Sequence, residues 1–131
     1  KKRIFMRSDL LEQEIVAKGL TAPRVTLKDV ESNIFSAHYF TAMDARSGAI
    51  ANGTYSDLEQ PQCGDADLAP LGLLTFCVLI LKNGFTVTGE SACASPENFD
   101  AEIGRKIAYN MAVGKVWAHM GYALRSKLMG L

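Results

Sequence analysis

The hydrophobic positions of the chain fall into patterned blocks separated by turn-forming residues. In the first block, SDLLEQEIVAK, Leu10, Leu11, Ile15 and Val16 lie near one face at helical spacing. Ser8 or Asp9 stands where an N-cap is expected and Gly19 follows as a stop, which predicts a short helix. After Pro23, Thr26 precedes Asp29 at capping-box spacing, so a second short helix is predicted from about Leu27 to Ser32, with the Thr26 hydroxyl taking an orphan amide. IFSAHYFTAM, residues 34–43, is rich in aromatic and β-compatible residues with partial alternation and reads as a strand. DARSGAIANGTYSD then carries turn formers throughout and opens a loop at about 44–72. Structureless loops beyond about 12–15 residues are uncommon, so this one reads either as a functional flap or as a partly disordered segment.

The second half is patterned more strongly. LLTFCVLILK at 73–82 is almost wholly apolar, Asn83-Gly84 is a strong hairpin signal, and FTVTGESAC at 85–93 alternates. The apolar strand is expected at the centre of its sheet, and its partner exposes Thr86, Thr88 and Glu90 on one face. Ser95-Pro96-Glu97-Asn98 punctuates the chain, and a proline-free run then predicts a long helix at about 97–128. Ile103, Ile107, Met111, Gly114, Ala118, Gly121, Leu124 and Leu128 recur at three and four, giving an apolar stripe suited to the hairpin or to a partner helix. Interior glycines cost about 1 kcal/mol each relative to alanine, which marks Gly121 as a place for a break. The predicted fold is α+β: a small antiparallel sheet around the 73–93 hairpin, packed by the long carboxy-terminal helix and preceded by short helices, as one domain over residues 1–131.

Composition narrows the function more than the fold. With 48% hydrophobic and 21% charged residues, the chain has the balance of a soluble globular domain. Fourteen Lys and Arg against fourteen Asp and Glu give zero net charge, which argues against a nucleic-acid partner, requires any anion site to be local, and mildly favours self-association. Cys63, Cys77 and Cys93 are odd in number and form no C-x-x-C pair, which argues against zinc and against a disulfide framework. The opening KKRIFMR lacks an initiating methionine and reads as a trimmed or internal start. No secretory pattern is present, so the expected compartment is the cytoplasm. The longest apolar run, LAPLGLLTFCVLIL, contains Pro70 and Gly72 and falls short of the ~20 residues that span a bilayer.

Candidate chemistry is sparse. His38, mid-strand, reads as a half-buried structural imidazole. His119 shares a helix face with Lys115 and belongs either to a cationic anion site or to a solvated face. Gly89-Glu90-Ser91-Ala92-Cys93 departs from the nucleophile elbow at its fifth residue and is followed by no helix. Cys93 reads as an inert core thiol, and Glu97, Asp100 and Glu102 as acids favoured by the start of the long helix. No dinucleotide loop, phosphate loop or metalloprotease pattern occurs, so the expectation is a non-enzyme without cofactor or metal. A nucleotide-like ligand needs a flat apolar face, amide or carboxylate groups and a few cations. Phe85 and Phe99 supply the first, Asn98 and Asp100 the second, and Arg105, Lys106, Lys115 and Arg125 the third, although each also has a purely structural reading.

The motifs KNGFTVTGESAC and SPENFDAEIGRKIA and the ending W…GY…LR, spanning about 73–128, together with the weaker HYFTA, resemble a family of small accessory proteins of tailed phages and prophages. The architecture is also similar to the Thoeris anti-defence sponges, phage proteins that sequester cyclic ADP-ribose-type and related cyclic nucleotide signals. That resemblance implies a small anionic nucleotide as ligand, a homo-oligomer with pockets between subunits, and action in the infected host's cytoplasm. It places the ligand on Phe85, Asn98, Phe99, Asp100, Arg105, Lys106 and Lys115, with His119 beside them. The ending departs from the W-x-L-E-G-Y pattern of relatives, since Trp117-Ala118-His119-Met120-Gly121-Tyr122 stands in its place. The competing expectation is an adaptor or inhibitor that acts on a host protein through the loop and the long helix.

Overall fold

The computed structural model describes residues 7–54, 56–59 and 68–131. Elements follow in the order α1 (Arg7–Ala17), α2 (Leu27–Asn33), β1 (Ile34–Thr41), α3 (Ala42–Ala51), β2 (Leu74–Leu81), β3 (Thr86–Ala92) and α4 (Ala101–Leu128), with 3-10 turns at Ala69–Leu73 and Pro96–Asn98. The strands form an antiparallel sheet in the order β1-β2-β3, so the most apolar strand is central, as its composition requires. The architecture is α+β, with the long carboxy-terminal helix laid on the hairpin.

Short-range signals explain the element boundaries. The Thr26 hydroxyl accepts from Asp29 N at 3.1 Å while the Asp29 carboxylate accepts from Thr26 N at 2.9 Å, which closes a capping box at the start of α2. Thr41 and Asp44 repeat the same box at the start of α3. This corrects the expected loop: residues 42–51 are helical, because T-x-x-D satisfies the first orphan amides as soon as the strand ends. The Arg46 side chain on α3 is 9% exposed and pairs with the Glu59 carboxylate. At the hairpin, only Gly84 takes a positive φ, +88°, and the Asn83 side chain accepts from Phe85 N at 2.9 Å.

The core lies between one sheet face and the helices. Along β2, Thr75, Cys77, Leu79 and Leu81 are buried and meet α4 and α2, while Phe76, Val78 and Ile80 point to the opposite, half-exposed face. Gly89, opposite Cys77, is the point of closest approach: a Cβ there would stand 2.0 Å from the Ala108 carbonyl oxygen. Close approach selects small residues, so α4 buries Gly104, Ala108, Ala112, Val113 and Val116. The predicted stripe therefore lies mainly away from the hairpin, which it meets at its edge where the Met111 sulfur accepts from Glu90 N at 3.5 Å. Ile103, Ile107 and Met111 remain 55%, 48% and 46% exposed, and Gly114, Ala118 and Gly121 lie on the same outward side. No break occurs at Gly121, because α4 runs unbroken to Leu128.

Candidate functional site

Four elements converge on a cleft of about 100 Å³. The end of β1 brings Tyr39, Phe40 and Thr41, the start of α3 brings Asp44, β2 brings Thr75, and the approach to α4 brings Phe99, Ala101 and Arg105. The capping box fixes Thr41 and Asp44, and the Asp100 carboxylate caps α4 by accepting from Ile103 N at 3.0 Å. Gly104 lets the helix settle on the cleft floor, since a Cβ there would reach 3.0 Å from Thr75 Oγ1.

The chemistry of the cleft is one cation, Arg105, and one carboxylate, Asp44, beside hydroxyls and aromatic faces. Arg105 makes no ion pair among the described residues, whereas Lys106 pairs with Glu102 at 3.5 Å and Lys115 with Glu90 at 3.8 Å. Burial, with Cys77 and Tyr109 nearby, pushes the Tyr39 phenol up to about 12, so it is a neutral hydroxyl donor at physiological pH. Phe40 leans on Phe76, with ring centroids 5.9 Å apart.

The sequence-nominated residues do not gather in one place. Phe99 and Arg105 line the cleft, Asp100 caps the adjoining helix, and Asn98 sits exposed in the preceding 3-10 turn. Phe85 and His119 meet edge-to-face at 5.5 Å near the hairpin turn. At 1.5 Å rise per residue, His119 lies about 21 Å along α4 from Arg105. Lys115 falls between the two groups, held by Glu90. Tyr39, Thr41, Asp44 and Thr75 join Phe99 and Arg105 from outside the KNGFTVTGESAC and SPENFDAEIGRKIA motifs; the T-x-x-D spacing is the local sign that 41 and 44 share a structure.

Of the thiols and imidazoles, Cys77 is the one beside the cleft, opposite Tyr39 in the sheet. Burial pushes the Cys77 thiol up to about 11, well above the range in which a thiolate forms at neutral pH. Cys93 is half-buried rather than in the core, and its thiol donates to the Ser95 carbonyl at 3.1 Å. His38 is exposed rather than half-buried, with Nε2 3.0 Å from Ser36 Oγ, because its position alternates onto the open sheet face. Cys63 lies outside the described residues. Among the described residues no three His, Cys, Asp or Glu side chains form a metal-binding group, and no helix is long and apolar enough to cross a membrane.

The molecule is thus a small α+β protein with one helix-covered sheet face and an arginine-bearing cleft at the helix start. Its chain belongs to the phage protein (N4 Gp49/phage Sf6 gene 66) family, whose model matches residues 25–128. The match takes in the sheet, the cleft and α4, and leaves α1 outside it. No curated protein and no solved structure matches the chain.

Proposed function

We propose that the protein binds and sequesters a cyclic nucleotide immune signal, of the cyclic ADP-ribose or cyclic oligonucleotide type, in the infected cell's cytoplasm without cleaving it. The observation that carries this reading is Arg105, without an ion-pair partner among the described residues and set beside Phe99, Tyr39, Thr41 and Thr75 in one cleft. A guanidinium is suited to phosphate, an aromatic face to a base, and neutral hydroxyls to ribose. The cleft of about 100 Å³ is smaller than the roughly 300–1,000 Å³ of sites that enclose a whole small ligand. It therefore holds one part of the nucleotide, and a second subunit completes the enclosure. Binding without turnover is supported by the state of Cys77, which is buried under α4 with its thiol pushed up to about 11, so that it presents no thiolate to the cleft.

The test is a thermal-shift screen of the purified protein with cyclic ADP-ribose isomers and cyclic dinucleotides. At a ligand excess of 100 Kd, mass action stabilises by about 2.7 kcal/mol, a rise in Tm of roughly 10 °C. Heat should release the ligand chemically intact. Arg105→Ala and Phe99→Ala should abolish the shift while leaving the ligand-free Tm within a few degrees of the parent. No shift with any of these compounds, or release of a cleaved product, would sink the reading. Recovery of one host protein in equal amount would favour the adaptor instead.

A further inference from the structure

The outward face of α4 is the least expected surface of the molecule. Ile103, Ile107, Met111, Gly114, Ala118 and Gly121 follow one another along it at helical spacing, about 27 Å from end to end, with no charged residue among them. Three are large and roughly half exposed, and the three that follow are small. A surface helix of a monomer ordinarily carries its charges on this side. Here the mid-helix charges are engaged elsewhere, Arg105 in the cleft, Lys106 with Glu102 and Lys115 with Glu90, and the others gather at the two ends: Glu97 and Asp100 before the start, Arg125 and Lys127 in the last turn.

We propose that this face is the twofold interface between two copies of the chain, with their α4 helices packed antiparallel about a point between residues 112 and 113. The order of side chains makes the face self-complementary in that register and in no parallel one. Ile107 lies across from Ala118 of the second copy and Met111 across from Gly114, while Ile103 comes opposite the Gly121-Tyr122 step. Ile107 and Met111 thus each meet a small residue, which permits close helix approach. The same register sets Asp100 across from Arg125, so the acidic helix start of each copy meets the basic helix end of the other. The opposed helix dipoles add in the same sense. An isologous arrangement closes on itself and leaves no open edge for further growth. The inference stands on the helix face alone and does not depend on which ligand the cleft takes.

Sedimentation velocity and light scattering of the full chain, without ligand, should give twice the 14.2 kDa of one copy. Gly114 and Gly121 have open space around a built Cβ, so Gly114→Arg leaves the monomer fold undisturbed. This variant should halve the mass and keep the helical circular dichroism, and Ile107→Glu should do the same. A monomeric parent at high micromolar concentration, or a dimer that survives both substitutions, overturns the proposal. Register is read by oxidation in a background with Cys63 and Cys93 replaced by serine: Ile107→Cys combined with Ala118→Cys should give a covalent dimer. Efficient cross-linking by Ala118→Cys alone would place the helices parallel and overturn the register.

Discussion

The junction of α4 with the hairpin and the docking of α1 make an instructive pair. Both helices show apolar residues at helical spacing in the sequence, yet they are held by different means. At the α4 junction Leu79, Ala108, Ala112 and Val116 are 0% exposed, and the backbones of Gly89 and Ala108 nearly touch. On α1, Leu10, Leu11 and Val16 remain 59%, 56% and 69% exposed. That helix is anchored instead by Arg24, whose guanidinium donates to both Glu12 carboxylate oxygens, at 2.7 and 3.3 Å. One region is specified by shape and the other by an ion pair, and only the first lies within the family-matched residues. Periodicity announces a helix, whereas a long-range partner decides whether its apolar face is used.

Substitution at the point of contact should separate the two regions most sharply. Gly89→Ala would drive a Cβ into the Ala108 carbonyl, so α4 must lift from β3. The expected loss is about 3 kcal/mol in a urea melt, at the upper end for overpacking. A loss under about 1 kcal/mol would show the junction to be more yielding than its geometry implies.

A smaller effect is expected from pH, and only at the other region. The hydrogen bond from Arg24 holds the Glu12 carboxyl below its ordinary range. A depressed carboxylate contributes stability above its unfolded value, about 4.3, and that contribution fades as pH falls through the lower folded value. Protection factors in α1, with the intrinsic pH dependence of amide exchange divided out, should therefore be steady near neutrality and fall below about pH 4, while those of α4 stay high. Glu12→Gln should remove the pH dependence. Asp29, also depressed, by its bonds to Thr26, titrates in the same direction and is controlled with Asp29→Asn. Protection factors in α1 that do not change with pH would mean the pair does not hold the helix.

The smallest effect belongs to Leu11→Ala, where an exposed leucine is trimmed on a helix that alanine favours. Its equilibrium stability should change by less than about 0.5 kcal/mol. A cost above about 2 kcal/mol would reveal burial of that face and erase the contrast with α4.

Most of the fold is legible in the sequence. The capping box at Thr26, the central placement of β2, the turn at Asn83-Gly84 and the long helix all rest on interactions within a few residues or on unbroken apolar runs. The helix over 42–51 was missed because Arg46, Ser47 and Gly48 read as turn formers, although Thr41 and Asp44 carried the same cap as Thr26 and Asp29. The site was legible only in fragments. Phe99 and Arg105 could be nominated by type, but Tyr39, Asp44 and Thr75 join them from elements far away in sequence. Phe85 and His119 were nominated for the same ligand and are joined to each other instead.

By itself, then, the sequence determined the elements, their caps, the central strand and the neutral charge, because propensity, capping and binary pattern act locally. Tertiary structure alone decided which face of α4 turns inward. The sequence ranks Ile103, Ile107 and Met111 above Gly104, Ala108 and Ala112 by hydrophobicity, and burial follows the opposite order. The reason is steric: with Gly89 opening the sheet, the helix gains more from close backbone approach along its small residues than from burying the larger side chains.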